Sequence, residues 1–180
     1  MTSHMENEAL ALVDTSQDAI QLVAVSVTKE GGVLHLTLNR PEARNAMSLQ
    51  MVAELRRVLR DAEATAGKPD AVRVVVLRGA GGHFCAGADL KDMAGARMRS
   101  MQAAGTGAPD PIAEVNAAFG ELCVAYARTP LAVVAVLEGT VMGGGFGLAC
   151  VADVAIASET ANFRLPETSL GVVPAQIAPF

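Results

Sequence analysis

The stretch LAVVAVLEGTVMGGGFGLACVADVAIA, Leu131 to Ala157, constrains the fold of this chain more than any other. A run this apolar has to leave water, either in a bilayer or in a protein core. Glu138 and Asp153 leave only residues 139–152 uncharged between them, short of the roughly 20 residues a spanning helix needs, and glycines recur inside that interval. The bilayer reading fails on length. The run reads instead as buried strand, glycine turn, helix from about Gly144 to Val151, and a short strand DVAIAS. VRVVVLRG, Val72 to Gly79, is another near-continuous apolar run of the kind a strand covered on both faces shows.

Parallel strands need crossovers, and helical patterns stand where crossovers are required. Ser48 caps a segment in which Met51, Leu55, Val58, Leu59 and Ala62 share one helical face, and Lys68-Pro69-Asp70 turns the chain back. DLKDMAGARMRSMQ is weakly helical, with Ala94 to Pro111 expected as a mobile loop. A helix over Ile112–Arg128 follows. Upstream, VAVSVTKEGGVLHLTLN from Val23 is two β-branched runs joined at Lys29-Glu30-Gly31-Gly32, a hairpin by its turn residues, and Pro41 ends the second run. Residues 1–22 lack a sustained period and read as a mobile leader before one core domain, 23–180. Alternating strand and helix make the chain α/β with largely parallel pairing.

Composition narrows the function. With 180 residues and 51 % apolar content, the chain can build one real core. Nineteen acids against 14 Lys and Arg, five Phe, one Tyr and no Trp offer neither the basic patch nor the stacking platform of a nucleic-acid binder. No basic segment followed by an apolar run opens the chain, so a secretory signal is not expected and a cytoplasmic address is. Cys85, Cys123 and Cys150 lack paired spacing, and His4, His35 and His83 share none, so neither a disulfide framework nor a metal site is expected.

Two glycine-rich places draw attention. Neither has the Lys-Ser/Thr ending of a P-loop, and Gly143-Gly144-Gly145 lacks the dinucleotide spacing. Glycines do permit close approach of a ligand to free N–H groups at a helix start. The loop Gly82 to Asp89 and the loop Gly139 to Gly145 could each give one N–H to a carbonyl oxygen gaining charge. Spacing alone leaves open that both are merely tight turns between strand and helix.

LNRPEARNAMS, FCAGADLKDM, GTVMGGGFGLACVADVAIAS and FRLPETSLGVVP, in that order, resemble the enoyl-CoA hydratase/isomerase family, also called the crotonase family. The resemblance covers residues 33 to about 175. It implies a crotonase-like superhelix of ββα turns, a homotrimer or dimer of trimers, and an acyl-CoA thioester as substrate and partner. Coenzyme A is then part of the substrate, and no separate cofactor, metal, nucleic acid or membrane is implied. By the same resemblance Ala88 and Gly144 are the oxyanion donors and Glu167 is the catalytic acid/base. Glu42, Ala43, Asn45, Ala86, Asp89 and Leu90 fall in the coenzyme A contact segments, with Gly143 and Pro166 beside them.

The chain departs from the family pattern in two places. Where the hydratases commonly carry a first glutamate stands Gly147, so Glu167 is the remaining acid; Glu138 precedes the glycines and is no substitute. One carboxylate suffices for hydration or for double-bond isomerisation, since both pass through an enolate. GGGxGL with LGVVPAQIAPF looks more like bacterial hydratases of glutaconyl-type or branched acyl-CoAs, for which a polar or basic pocket group is expected; Arg97, Arg99 and Arg164 read as surface charges. The second departure is the end at Phe180, which implies a chain lacking the family's C-terminal helical portion. That leaves a further alternative, a non-catalytic fragment that binds acyl-CoA or partners.

Overall fold

The computed structural model describes residues 20–103, 105, 107–171 and 173–180; most of the expected leader, residues 1–19, lies outside them. Its last part is not a leader. Ile20–Gln21 (β1) pairs antiparallel with Val25–Glu30 (β2), which makes a hairpin with Val33–Leu38 (β3) through Gly31 and Gly32. Gly31 sits at φ 54°, the left-handed backbone that the turn requires and glycine tolerates.

Leu49–Glu63 (α1) starts where Ser48 accepts the Met51 N–H at 3.1 Å. The expected stripe, Met51, Leu55, Val58, Leu59 and Ala62, is buried on the sheet side, each large side chain contributing about 1.5–3 kcal/mol. Buried Glu54 ties the helix to the hairpin by accepting the N–H groups of Val23 and Ala24. Val74–Gly79 (β4), Leu90–Ala103 (α2), Pro111–Arg128 (α3), Ala132–Leu137 (β5), Thr140–Met142 (β6), Gly144–Cys150 (α4), Val154–Ala157 (β7) and Asn162–Arg164 (β8) complete the order. The sheet runs β1-β2-β3-β4-β5-β7, parallel from β3 onward, and β6 pairs β8 in a second, two-stranded parallel sheet.

Two expectations change. Residues 94–103 are helical rather than loop, because Ala, Met, Arg and Gln propagate a helix whose first turn Asp89 caps. The strands β6 and β8 had no separate pattern in the sequence. They matter because β6 carries the glycine turn, and an isolated parallel bridge joins Cys85 to Val141. Among the described residues no helix is long and apolar enough to cross a membrane.

Candidate active site

The parallel bridge stitches the two glycine loops together: Cys85 N donates to Thr140 O at 2.9 Å and Met142 N to Cys85 O at 3.0 Å. The fit is tight. A Cβ on Gly145 would lie 2.5 Å from Cys85 Cβ, and one on Gly87 3.2 Å from the Met142 carbonyl. Only glycine lets α4 begin this close to the 85–88 segment. Beyond the bridge, Met47 N donates to Gly87 O at 2.7 Å and Asp89 N to Met47 O at 3.0 Å.

That pairing aims the Ala88 amide. In a trans peptide C=O and N–H point opposite ways, so a Gly87 carbonyl held on Met47 turns the Ala88 N–H away from Met47, on the side of a cavity of about 340 Å³ that Ala88 lines. Gly144, first residue of α4, lines the same cavity. Neither amide has a protein acceptor among the described residues. Glu167, in the short helical turn Pro166–Leu170, lines it too. Its Oε1 approaches Gly143 so closely that a Cβ there would be 3.0 Å away, and its buried Oε2 has no hydrogen-bond partner among the described residues. Two N–H groups and the Glu167 carboxylate therefore share a cavity that Asp89 and Asp92 also line and that Met47, Val52, Ile112, Val115, Phe119 and Ile177 wall; Asp92 Oδ2 accepts the Leu49 N–H at 2.7 Å. No Lys, Arg or His lines it among the described residues.

Gly147 has no space for an acid. A Cβ there would sit 2.0 Å from Ile177 Cγ2, so an isoleucine methyl fills the place. Cys85, close by, is buried, which pushes its thiol up to about 12 against the opposing hydrogen bonds from Gly87 and Met47. It stays protonated and is no nucleophile.

The other residues singled out from the sequence divide. Glu42 is exposed, Ala43 and Ala86 are half-buried, and Leu90 is 84 % exposed. They lie on two neighbouring segments, the turn at Pro41–Ala43 and the stretch from Ala86 to the start of α2, joined by Ala86 N to Arg44 O at 3.0 Å, outside the cavity wall. Asn45 holds its loop together. Its side chain is buried, accepting from Arg40 N at 2.9 Å and donating to Ala80 O and His83 O at 2.9 and 2.7 Å. Both side-chain donors are spent on the neighbouring 80–83 loop. Gly143 donates its own N–H to Arg164 O at 2.9 Å and contributes conformation, at φ 49°. Pro166 starts the turn that carries Glu167 and does not line the cavity.

Asp89 lines the cavity, yet its carboxylate is occupied. Burial would raise its pKa, but the Arg40 guanidinium at 2.8 Å and the N–H groups of Lys91 and Asp92 outweigh that and hold it below the usual carboxylate value. Sequence reasoning missed Asn116, Phe119 and Ile177. Ile112, Val115, Asn116 and Phe119 fall at i, i+3, i+4 and i+7 on α3, a signal that could have shown one cavity-facing stripe with an amide inside it.

The loops of the parallel sheet thus bring the Ala88 and Gly144 amides and the Glu167 carboxylate to one largely apolar cavity. Comparison with known proteins agrees: a family model described as enoyl-CoA hydratase/isomerase matches residues 28–180, and the chain belongs to that family. The chain is 54 % identical to an enoyl-CoA hydratase/isomerase from Marinobacter aquaeolei, with a TM-score of 0.78 over 87 % of this chain and 56 % of that one. Pseudomonas aeruginosa AtuE is similar at 53 % identity and a TM-score of 0.76, with the same coverages. The Escherichia coli 1,2-epoxyphenylacetyl-CoA isomerase is 36 % identical over 145 residues, 81 % of this chain and 51 % of that protein. The chain spans about half the length of such curated relatives. Its fold is the crotonase fold of these neighbours.

Proposed function

We propose that the protein hydrates a 2-enoyl-CoA, with Glu167 as its one acid/base and the Ala88 and Gly144 amides as the oxyanion hole. The observation that carries this reading is the unpartnered Glu167 Oε2 in the same cavity as two unpaired N–H groups. Water gives a proton to Glu167 as its oxygen bonds to Cβ. The π electrons move to the thioester oxygen, and the resulting enolate rests on the two amides. The protonated Glu167 then returns the proton to Cα, so water has added across the double bond and the carboxylate is regenerated. Donors fixed before reaction are worth about 3 kcal/mol each to such a transition state.

The apolar wall favours a branched aliphatic acyl chain. A glutaconyl-type second carboxylate would have to rest on the side-chain amides of Asn116 and Gln176, the neutral polar groups of the wall, because an unpaired buried carboxylate is costly. By family resemblance we infer that the full-length protein assembles as a homotrimer or dimer of trimers, and the sequence reading gives it a cytoplasmic address.

A second reading is favoured by Ile177, which closes the Gly147 side with a methyl group where another water-holding acid would stand. Glu167 would then carry a proton between Cα and Cγ of a 3-enoyl thioester, shifting the double bond into conjugation. A panel of 2-enoyl-, branched glutaconyl- and 3-enoyl-CoA thioesters, followed at the conjugated enone absorbance, separates the two. Hydration removes the absorbance and isomerisation creates it. Thioesters that bind without turnover would support a binding role alone.

A further inference from the structure

We propose that Arg40 is a positioning residue for the oxyanion hole, acting on the Ala88 amide through two hydrogen-bonded peptide groups; this rests on the function proposed above. The Arg40 guanidinium lies between two loops. Its Nη1 donates to the Ala46 carbonyl at 2.6 Å, and its Nη2 pairs with Asp89 Oδ2 at 2.8 Å. The Ala46 carbonyl belongs to the same peptide group as the Met47 N–H, and that N–H donates to Gly87 O at 2.7 Å. The Gly87 carbonyl in turn shares its peptide group with the Ala88 N–H.

A chain of donors therefore runs from a permanent cation, through Ala46–Met47 and Gly87–Ala88, to the amide that faces the cavity. Both peptide dipoles point the same way, because C=O and N–H are antiparallel in each. Hydrogen bonds linked in series polarise one another. A guanidinium on the first carbonyl draws electron density along the chain and makes the last N–H a stronger donor. The second prong fixes the register, since Asp89 directly follows Ala88 and caps α2 by accepting from Lys91 and Asp92 N–H groups at 2.8 and 3.3 Å. Arg40 itself is only 23 % exposed and is held by backbone as well, its N–H donating to Asn45 Oδ1. Lysine cannot reproduce this, because a single ammonium lacks the rigid planar fork that spans Ala46 and Asp89.

The test reads carbonyl polarisation directly. Hexanoyl-CoA, a saturated thioester labelled with ¹³C at the carbonyl, is bound to wild type, Arg40→Gln and Arg40→Lys, and the carbonyl stretch is taken from isotope-edited infrared difference spectra. Wild type is expected to show the stretch lowered relative to free thioester. Arg40→Gln should lose at least half of that lowering with Kd within about threefold of wild type, and its kcat should fall about tenfold or more with KM little changed. Arg40→Lys should recover part of both. A merely structural role would move stability and Kd and leave the stretch of the bound thioester alone.

Retention of the full lowering in Arg40→Gln, or equal losses in the Gln and Lys variants, would overturn the proposal while leaving the oxyanion hole standing. If Arg40→Gln does not fold, Arg40→Lys decides: an unchanged stretch in that variant overturns the proposal. No lowering in wild type would refute the hole itself, and this proposal with it.

Discussion

Gly145→Ala is the perturbation that separates packing from catalysis most sharply. The new methyl would stand 2.5 Å from Cys85 Cβ, 2.7 Å from the Cys85 carbonyl oxygen and 3.0 Å from its Sγ. Ordinary carbon contacts begin near 3.5 Å, so α4 has to retreat by about 1 Å. The two nearest atoms belong to the backbone or sit one bond from it, and the Cys85–Val141 bridge holds that backbone. Overpacking of this kind costs about 1–3 kcal/mol, while alanine returns about 1 kcal/mol over glycine within a helix. A net loss of about 1 kcal/mol lowers Tm by only about 2–4 °C in a domain of this size.

Activity should fall much further, because the Gly144 amide rides on the displaced end of α4. A misplacement of about 1 Å costs on the order of 10²-fold in rate. Thermal unfolding followed by circular dichroism, with initial rates on the best thioester of the panel, measures both. Wild-type activity in Gly145→Ala would show that the start of α4 does not set the reaction rate.

Asp89 gives a pH signature. Its carboxylate is held below the ordinary value of 3.8 in the folded protein, so its ion pair stabilises fully above that value and is lost as pH falls through the lower folded value. Wild type should therefore exceed Asp89→Asn in Tm at neutral pH, and the gap should close below about pH 4; a gap constant into strong acid would refute this. Thiol labelling offers a second check. Burial pushes both Cys85 and Cys123 up to about 12, whereas Cys150 is exposed. Burial raises the Cys150 thiol as well, so accessibility decides: the native protein at pH 8 should label at one thiol, abolished by Cys150→Ser, and rapid labelling at Cys85 would contradict the close seat of α4 on it.

Local signals made much of the fold legible. Ser48 and the stripe from Met51 to Ala62 announced α1, the runs around Val75 and Val134 announced the central parallel strands, and the triple glycine announced the start of α4. What escaped was long-range. Thr140–Met142 pairs with Asn162–Arg164 across an intervening helix and strand, and three-residue strands carry no period to read. The site followed the same division. Glu167, Ala88 and Gly144 were found by motif, and the structure brings all three to one cavity. Asn45 and Asp89 were placed by motif alone, and only coordinates reveal that their polar atoms are already taken by Arg40 and the backbone. The methyl of Ile177 against Gly147 joins residues far apart in sequence, beyond any local pattern.

Glu167→Gln tests the single-carboxylate mechanism most directly. Glutamine keeps the shape and most of the hydrogen bonding while removing the group that carries the proton. Turnover on the preferred enoyl thioester should fall by about 10²-fold or more, while calorimetry of hexanoyl-CoA binding stays close to wild type. Gly147 leaves no room for a second acid on its side of the cavity, and the other two carboxylates of the wall, Asp89 and Asp92, are already engaged by Arg40 and by the Leu49 N–H. A variant that binds thioester and turns over at the wild-type rate would contradict the mechanism outright.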